Sequence, residues 1–418
     1  MYLTKEEEKM LDGEYGVATK KAMEILTALG DFYNAEKLIK IASAHVVGGY
    51  EFIGNEGLSW LNHLTKEGGH FRAFTTLNAI FGTDLERWRE MGIPEDFAEN
   101  ECRTCQAWKA LGPIMTVSCI AYLVGNLLRR GDHFSWSSSG SQAFCNSVLG
   151  AFGNREGGPS SLAAGIIGKT PLYGLHLPEN RHGEILVDVN LSTKDLYVPT
   201  NLAALGYYVG EVVGKKIPVL RGLPPDLSVD QLRMLVSNGS VAGAVALMHV
   251  VGVTPESPTL EAALGGDKPE ERIMVGKKEI QEVYDKLSSA QEKVDLVVFG
   301  CPHCSLGELR EIASLLSGHN ISKGVRLWAF TSRPIRNIAE LTGYVDIIEK
   351  SGGKVLTDAC VAIQVPFHLL SLDTLVTNSP KVAYYAPKMA LQKGTKLDTI
   401  FGDTRSCIRA AISGRWVD

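Results

Sequence analysis

The sequence predicts an α/β protein whose sheets are mainly parallel. Short apolar runs alternate with amphipathic stretches along most of its 418 residues, which is the pattern that strands and covering helices produce. Hydrophobic residues make up 45% of the chain and charged residues 21%, a composition typical of a globular protein with its own core. At ~100–200 residues per domain, this length predicts two to four domains.

Charge and hydropathy argue against several classes of protein. A formal net charge of -5 argues against a general binder of nucleic acid or of membrane surfaces, which needs a cationic face. No apolar run reaches the ~18–20 residues of a membrane span, and the charged N-terminus is not typical of a signal peptide. We therefore expect a cytoplasmic protein with reduced thiols. Its eight cysteines are then core residues, metal or cluster ligands, or redox groups.

The first elements follow from capping signals and periodicity. Thr4 and Glu7 have the spacing of a capping box, and apolar residues keep a helical period within 4–30. The next predicted elements are a strand over 42–47, a helix over 56–66, a strand over 70–76, a helix over 94–109 and a buried strand over 113–120. The last of these strands ends at Cys119.

The chain then changes character. Residues 131–178 are rich in Ser, Gly and Asn, which predicts an ordered site loop rather than a regular element. A further alternating unit covers 184–251. The charged stretch 254–293 is the best candidate boundary, so we predict domains over 1–293 and 294–418. The second domain is predicted to contain strands over 294–300, 325–331 and 355–363, and helices over 306–316 and 335–341.

Three cysteines occupy comparable places. Cys119, Cys301 and Cys360 each end or follow a predicted strand. Ligands of open α/β sheets bind beyond the carboxyl ends of the strands. Three thiolates there could hold an iron–sulfur cluster with one iron free of cysteine, and such an iron can act as a Lewis acid. The alternative is that each is a small buried hydrophobic residue, as free cysteine often is.

A second pattern competes for Cys301. Cys301 and Cys304 stand as Cys-Pro-His-Cys after a strand and before a helix, the layout of a thioredoxin-like redox site. The long chain that precedes the motif has no role in a small redox domain. Cys102 and Cys105 could complete a four-cysteine zinc site with this pair. They lie inside a predicted helix, however, which favours ordinary helix cysteines.

The loop over 154–161 has the composition of an anion site. It offers the guanidinium of Arg155, two glycine N–H groups, and the hydroxyls of Ser160 and Ser161. The alternative is an elaborate turn with a helix cap at one of the two serines. Similar polar groups follow other predicted strands at 331–333 and 377–381.

Taken together, these segments resemble the large subunit of the aconitase X family over nearly the whole chain. The segments that carry the resemblance are 131–133, 154–161, 168–176, 300–303, 377–381 and 414–416. The match at 154–161 is far more specific than a lone glycine-rich pattern.

The resemblance implies an aconitase-like fold of packed three-layer α/β domains. It also implies a hydro-lyase with an iron–sulfur cluster of the 3Fe-4S, 4Fe-4S or 2Fe-2S type, bound by Cys119, Cys301 and Cys360. The family dehydrates (R)-5-phosphomevalonate or cis-3-hydroxy-L-proline. A separate small chain with a swivelling domain completes the enzyme, so a partner is expected.

Elimination of water needs a base, an acid for the departing hydroxyl, and fixed charges for the substrate's acid group. We expect the cluster iron to act as the acid that takes the departing hydroxyl of the substrate. The substrate is expected to be a small hydroxy acid. The residues expected to bind its acid group are Asn154, Arg155, Ser160, Ser161, Arg333 and Lys381. By analogy with the family, Ser332 is the candidate base, and the partner is the other possible source of one. The alternative function is a redox protein or a non-catalytic cysteine–metal scaffold around Cys301 and Cys304.

Overall fold

Three parallel sheets follow one another along the chain in the computed structural model, which describes residues 1–417. The sheets have three, four and five strands, and a two-stranded antiparallel ribbon accompanies the first. Helices join most of the parallel strands, because a parallel pair needs a crossover that is too long for a tight turn.

The first part of the chain carries the three-stranded sheet and the ribbon. Its elements are α1 (Lys5–Asp12), α2 (Val17–Phe32), β1 (Leu38–Lys40), β2 (Ser43–Val46), α3 (Tyr50–Lys66), β3 (Phe74–Leu77), α4 (Trp88–Met91), α5 (Glu95–Leu111), β4 (Phe134–Trp136), α6 (Ser139–Phe144), α7 (Gly158–Ile167) and β5 (Lys169–Pro171). The sheet order is β3-β2-β4, and β1 pairs with β5. Thr4 and Glu7 exchange hydrogen bonds at the start of α1, so the predicted capping box is confirmed.

The middle part forms the four-stranded sheet with the order β8-β7-β6-β9. Its elements are β6 (Ile185–Val189), α8 (Thr193–Leu196), α9 (Pro199–Val213), β7 (Pro218–Arg221), α10 (Val229–Ala242), β8 (His249–Val250), α11 (Leu260–Ala263), β9 (Glu271–Val275) and α12 (Lys277–Lys286). The alternating unit predicted over 184–251 is therefore present.

The last part forms the five-stranded sheet with the order β12-β11-β10-β13-β14. Its elements are β10 (Leu296–Cys304), α13 (Leu306–Leu316), β11 (Arg326–Thr331), α14 (Arg333–Leu341), α15 (Tyr344–Lys350), β12 (Lys354–Leu356), β13 (Thr374–Thr377), α16 (Pro380–Gln392), β14 (Asp398–Phe401) and α17 (Thr404–Ser413). Strand β10 lies at the centre of this sheet. Its side chains alternate between two hydrophobic cores, which is typical of a parallel strand covered on both faces.

The segment 113–120 is not a strand, so that prediction is wrong. Ile114 forms a single bridge to β3. The Thr116 hydroxyl then donates to a β3 carbonyl (2.7 Å), and Val117 adopts a left-handed φ of 40°. A side-chain hydrogen bond and a sharp turn thus replace the strand ladder before Cys119.

Two other segments also differ from expectation. Residues 254–293 contain β9 and α12, and β9 pairs with β6 inside the middle sheet. The predicted division between 293 and 294 therefore falls after α12, in the segment that leads to β10. Residues 131–178 hold β4, α6 and α7, so this segment is more regular than expected.

The hydrophobic cores connect the parts. One core takes in residues of the middle and last sheets together with Trp136 and Phe144 of the first part. A second core, which includes residues of α2, α3 and α7, belongs to the first part alone. None of the helices within residues 1–417 is both long enough and apolar enough to cross a membrane.

Candidate functional site

Each of the three predicted ligand cysteines follows a break in regular structure. At Cys301 the break is Gly300 (φ 122°), where β10 leaves its register with β11. A Cβ atom at Gly300 would stand 2.5 Å from the Phe330 carbonyl oxygen, so this position requires glycine. The chain leaves the regular strand ladder there and carries Cys301 away from the strand pairing.

The other two cysteines have a similar break two positions upstream. Val117 (φ 40°) precedes Cys119, and Asp358 (φ 68°) precedes Cys360. Positive φ is uncommon for residues other than glycine, and for a β-branched residue it is a genuine outlier. Such strained positions concentrate at functional sites. Sharp turns before all three cysteines therefore mark this region as the candidate site.

The three thiols and Lys381 form one electrostatic group. Burial raises the pKa of each thiol, and the Lys381 ammonium on the first turn of α16 acts in the opposite direction on all three. The thiols of Cys360 and Cys119 also raise the pKa of Cys301. Lys381 Nζ donates to Ser139 Oγ (3.0 Å) at the start of α6, which positions the ammonium.

The protonation of the thiols follows from their burial. Burial raises the pKa of Cys119 to about 11, and those of Cys301 and Cys360 also lie above the ordinary cysteine value. The backbone N–H of His303 donates to Cys119 Sγ (3.3 Å), a contact that favours the thiolate. At neutral pH the thiols are therefore protonated without a metal, and a metal bound by them would release their protons.

The donor set fits a cluster better than a single ion. Within residues 1–417, no three His, Cys, Asp or Glu side chains are grouped closely enough to hold one metal ion. The sulfur ligands of a single tetrahedral ion lie only ~4 Å apart. The cysteines of a larger iron–sulfur cluster bind different irons and are more widely spaced. Three separate thiols that share one electrostatic environment suit the second arrangement.

Cys301 and Cys304 do not have the layout of a thioredoxin site. Both lie in β10, and α13 begins only at Leu306, so neither thiol stands at a helix N-terminus. Burial raises the pKa of both thiols, whereas the attacking thiol of a redox pair has a lowered pKa. Cys304 is part of the hydrophobic core.

The pair of Cys102 and Cys105 lies inside α5, as predicted. Burial is the main cause of a raised pKa at both thiols. The charges that act on Cys105 are those of Asp358, Cys102, Arg333 and Lys109 rather than those of Cys301 and Cys304. A four-cysteine zinc site is therefore absent from residues 1–417.

Asn154 holds the loop over 154–157 in place. Its side-chain amide donates to the Tyr173 carbonyl (3.0 Å) and accepts the Leu175 N–H (2.8 Å). Both hydrogen-bonding atoms of this buried side chain are therefore engaged with backbone. In this arrangement Asn154 shapes the loop.

Ser160 and Ser161 lie in the first turn of α7. The Ser160 hydroxyl donates to the Glu156 carboxylate and accepts the Gly157 N–H (3.1 Å), while the Ser161 hydroxyl bonds backbone carbonyls of the same turn. The helix cap is Gly157, not either serine. Glu156, which the sequence prediction does not include, is a buried carboxyl whose pKa burial raises to about 7.

Arg155 differs from its neighbours because its side chain is exposed. One guanidinium nitrogen lies 3.4 Å from the Gly243 carbonyl oxygen, and the group has no ion-pair partner within the described chain. A guanidinium without such a partner can bind a carboxylate or a phosphate through two parallel hydrogen bonds.

Arg333 and Ser332 already have partners. Arg333 forms a bidentate ion pair with Asp358 through Nε (2.8 Å) and Nη2 (2.7 Å). Ser332 is fully buried and caps α14, where its Oγ accepts the Ile335 N–H (3.3 Å). Both residues support the strand–helix junction beside Cys360, and the role of Ser332 as the base stays a prediction.

Packed parallel sheets with a three-cysteine group at their turns are the arrangement expected of an aconitase-like protein. Family models described as Aconitase X first domain, second domain and third domain match residues 1–179, 183–285 and 294–413. The chain belongs to the aconitase X family.

Three relatives match this chain over nearly its full length. A solved structure described as aconitase X from Thermococcus kodakaraensis, holo-form, matches with a TM-score of 0.87 at 37% identity, over 98% of this chain and 100% of that chain. The phosphomevalonate dehydratase large subunit of Methanocaldococcus jannaschii is 42% identical over 413 residues, 98% of this chain and 100% of that protein. The cis-3-hydroxy-L-proline dehydratase of Pseudomonas aeruginosa is 33% identical over 416 residues, 98% of this chain and 70% of that protein.

These matches confirm two predictions. The chain has the α/β aconitase-like fold that the resemblance implies. It is a hydro-lyase, because its relatives in the family are dehydratases. Both the fold and the dehydratase relatives favour the hydro-lyase over a redox protein built around Cys301 and Cys304.

Proposed function

We propose that this chain is the large subunit of an iron–sulfur dehydratase that acts on (R)-5-phosphomevalonate. The observation that carries the proposal is coverage: the chain spans 100% of the Methanocaldococcus large subunit but 70% of the Pseudomonas enzyme. Identity favours the same choice, at 42% against 33%. The second candidate substrate is cis-3-hydroxy-L-proline, which the second relative's name specifies.

We assign the cluster to Cys119, Cys301 and Cys360. Their shared environment with Lys381 and the N–H group directed at Cys119 support this assignment. When bound, a cluster with one iron free of cysteine supplies a Lewis acid for the departing hydroxyl.

The chain's own cations bind the acid groups of the substrate in this proposal. Lys381 neighbours the thiols and is held by Ser139, so it fixes the acid group nearest the reacting carbon. The exposed Arg155 guanidinium has no ion-pair partner within the described chain and matches a second acid group. Two cations suit a substrate that carries both a carboxylate and a phosphate. Asn154 and the serines of α7 act through the shape of the Arg155 loop.

The proton acceptor is assigned to a small partner subunit. Ser332 is buried and its hydroxyl already accepts the Ile335 N–H as a helix cap, which favours another source for the base. The Methanocaldococcus relative is named as a large subunit, and this supports a second, smaller chain. We expect the isolated chain to bind the substrate without dehydrating it.

Anaerobic reconstitution tests the cluster assignment. Cys119→Ala, Cys301→Ala and Cys360→Ala are each expected to abolish visible absorbance and iron binding, because each removes one of three ligands. Cys102→Ala and Cys407→Ala are the matched controls and should keep both signals. If Cys102→Ala bleaches the protein and Cys360→Ala does not, the assignment is wrong.

The substrate is tested with the complex of both subunits. We expect (R)-5-phosphomevalonate to lose water and cis-3-hydroxy-L-proline to remain unchanged, with product followed by mass spectrometry. Reaction of the proline derivative alone would reverse the choice. If neither compound reacts with a cluster-loaded complex, both named substrates are wrong.

A further inference from the structure

The ring of His303 connects the segments that carry the other two cysteines. Its Nδ1 lies 3.2 Å from Ser118 Oγ, and its Nε2 lies 2.9 Å from the Ala359 carbonyl oxygen. Ser118 and Ala359 immediately precede Cys119 and Cys360. The ring and both of its partners are buried, so water does not compete for these hydrogen bonds.

The direction of each hydrogen bond is determined by chemistry. A carbonyl oxygen can only accept, so Nε2 carries the ring proton and Nδ1 of the neutral ring accepts. The Ser118 hydroxyl therefore donates to His303 Nδ1, while its oxygen accepts the Ile120 N–H (3.3 Å). The two ring nitrogens thus have different partners in different segments.

The backbone of His303 is anchored as well. Its N–H donates to Cys119 Sγ (3.3 Å), and its carbonyl oxygen accepts from Arg233 Nη1 (3.0 Å). Arg233 is wholly buried and is itself held by Asp230 (3.3 Å) and by Glu308. A fixed backbone on one side and a ring bonded at both nitrogens on the other leave His303 little freedom.

We propose that His303 is a positioning residue that holds the three cysteine-bearing segments together before any cluster is bound. The effect of His303 on catalysis rests on the proposed function, in which the three cysteines bind a cluster. The hydrogen bonds of His303 are present whether or not those cysteines are ligands. Residues that orient metal ligands commonly matter for metal affinity and activity nearly as much as the ligands. A preformed arrangement also spares cluster binding the entropy of ordering three loops.

Hydrogen exchange of the metal-free, full-length chain tests this role. Ser118→Ala removes one of the two ring contacts, and His303→Leu removes both. We expect Ser118→Ala to speed amide exchange at least roughly tenfold within 118–120 only, because Ser118 Oγ both donates to the ring and accepts the Ile120 N–H. His303→Leu should speed exchange in both 118–120 and 359–361. Equal protection of either segment in His303→Leu and the parent would overturn the proposal.

His249 provides a matched control. It is also buried, and its Nε2 lies 2.7 Å from the Arg181 carbonyl oxygen, in the middle sheet. His249→Leu should loosen its own surroundings and leave 118–120 and 359–361 unchanged. If His249→Leu loosens those two segments as much as His303→Leu does, general destabilisation explains the effect and His303 has no special role.

Cluster uptake separates this proposal from the proposed function. With iron and sulfide supplied, His303→Leu should gain visible absorbance at least about tenfold more slowly than the parent and His249→Leu, since three loops must first be ordered. Uptake at the parental rate would overturn the positioning role. If the parent chain takes up no cluster, the proposed function fails, and the exchange data alone then decide whether His303 joins the segments.

Discussion

Arg155 and Arg333 illustrate, at the scale of single residues, how one residue type takes two roles. Both carry the same sequence prediction, because a guanidinium after a strand or in a glycine-rich loop suits an acid group. In the structure Arg333 already binds Asp358 with two parallel hydrogen bonds, whereas Arg155 is exposed and has no ion-pair partner in the described residues. Sequence identifies the chemistry of a side chain, but a partner that lies distant in sequence decides whether it is available.

Lysine substitutions separate these two roles. Lysine does not reproduce the fork of arginine, so Arg155→Lys should lower kcat/KM at least tenfold, about 1.4 kcal/mol, with no change in unfolding temperature. Arg333→Lys should instead lower the free energy of unfolding by ~2 kcal/mol, because buried Asp358 loses hydrogen bonds. Kinetics of the reconstituted complex and thermal unfolding measure the two effects. If Arg155→Lys lowered only stability and Arg333→Lys lowered only kcat/KM, Arg333 would be the substrate-binding residue and Arg155 the structural one.

Glu101 is a buried carboxyl that the sequence prediction does not include. It is 1% exposed on α5; its Oε1 accepts the Gly82 N–H (3.3 Å), while its Oε2 has no hydrogen-bond partner within the described residues. Burial raises its pKa to about 8. Its position inside an otherwise polar turn of a predicted helix gives no sequence signal for this burial.

The raised pKa makes stability depend on pH. The unfolded carboxyl loses its proton near pH 4.5 and the folded one near 8. Between these values the native state binds more protons, so the free energy of unfolding falls as pH rises. Glu101→Gln keeps the acceptor for Gly82 and should reduce this slope, most clearly above pH 7 where Glu156 no longer contributes, as measured by denaturant unfolding from pH 5 to 9. The exposed Glu99→Gln on the same helix should keep the slope, and the same slope in Glu101→Gln and the parent would contradict the raised pKa.

At the scale of elements, local signals predict what local interactions determine. The helix predicted over 306–316 has those bounds, and Ser305 and Glu308 form a capping box at its start. The strand predicted over 113–120 fails, because its apolar alternation does not reveal the left-handed Val117. The Cys-Pro-His-Cys motif itself does not open this helix, because β10 continues through Cys304 and Ser305 is the helix cap.

The N-terminus of α14 offers a test of Ser332. Ser332→Ala removes the cap of this helix, which should lower the free energy of unfolding by ~1 kcal/mol and leave kcat within about threefold. Thr342→Ala, an exposed position at the other end of α14, should change stability by less than ~0.5 kcal/mol. Denaturant unfolding and steady-state turnover of the reconstituted complex give both values. A fall in kcat of about a hundredfold with unchanged stability would instead make Ser332 the base.

At the scale of the whole molecule, the class of fold is predictable from alternation, but the site is not. Strand ends placed Cys119, Cys301 and Cys360 among the candidates, and the family resemblance joined them into one set. The contribution of Lys381 near the thiols depends on how α16 packs beside α6, which no local pattern encodes. His303 was visible in the Cys-Pro-His-Cys motif, but its two ring partners come from distant segments.

The contact between Ser118 and His303 has a consequence for synthesis of the chain. The two residues are 185 positions apart in sequence. A ribosome adds about 5–20 residues per second, so Ser118 is made roughly 10–40 s before the histidine that will hold it. During that interval Cys119 lacks its contact with the His303 N–H, and the contacts of Ile114 and Thr116 with β3 hold its turn to the first sheet. A nascent or prematurely terminated chain that lacks the last sheet therefore lacks His303 and two of the three proposed ligand cysteines, Cys301 and Cys360.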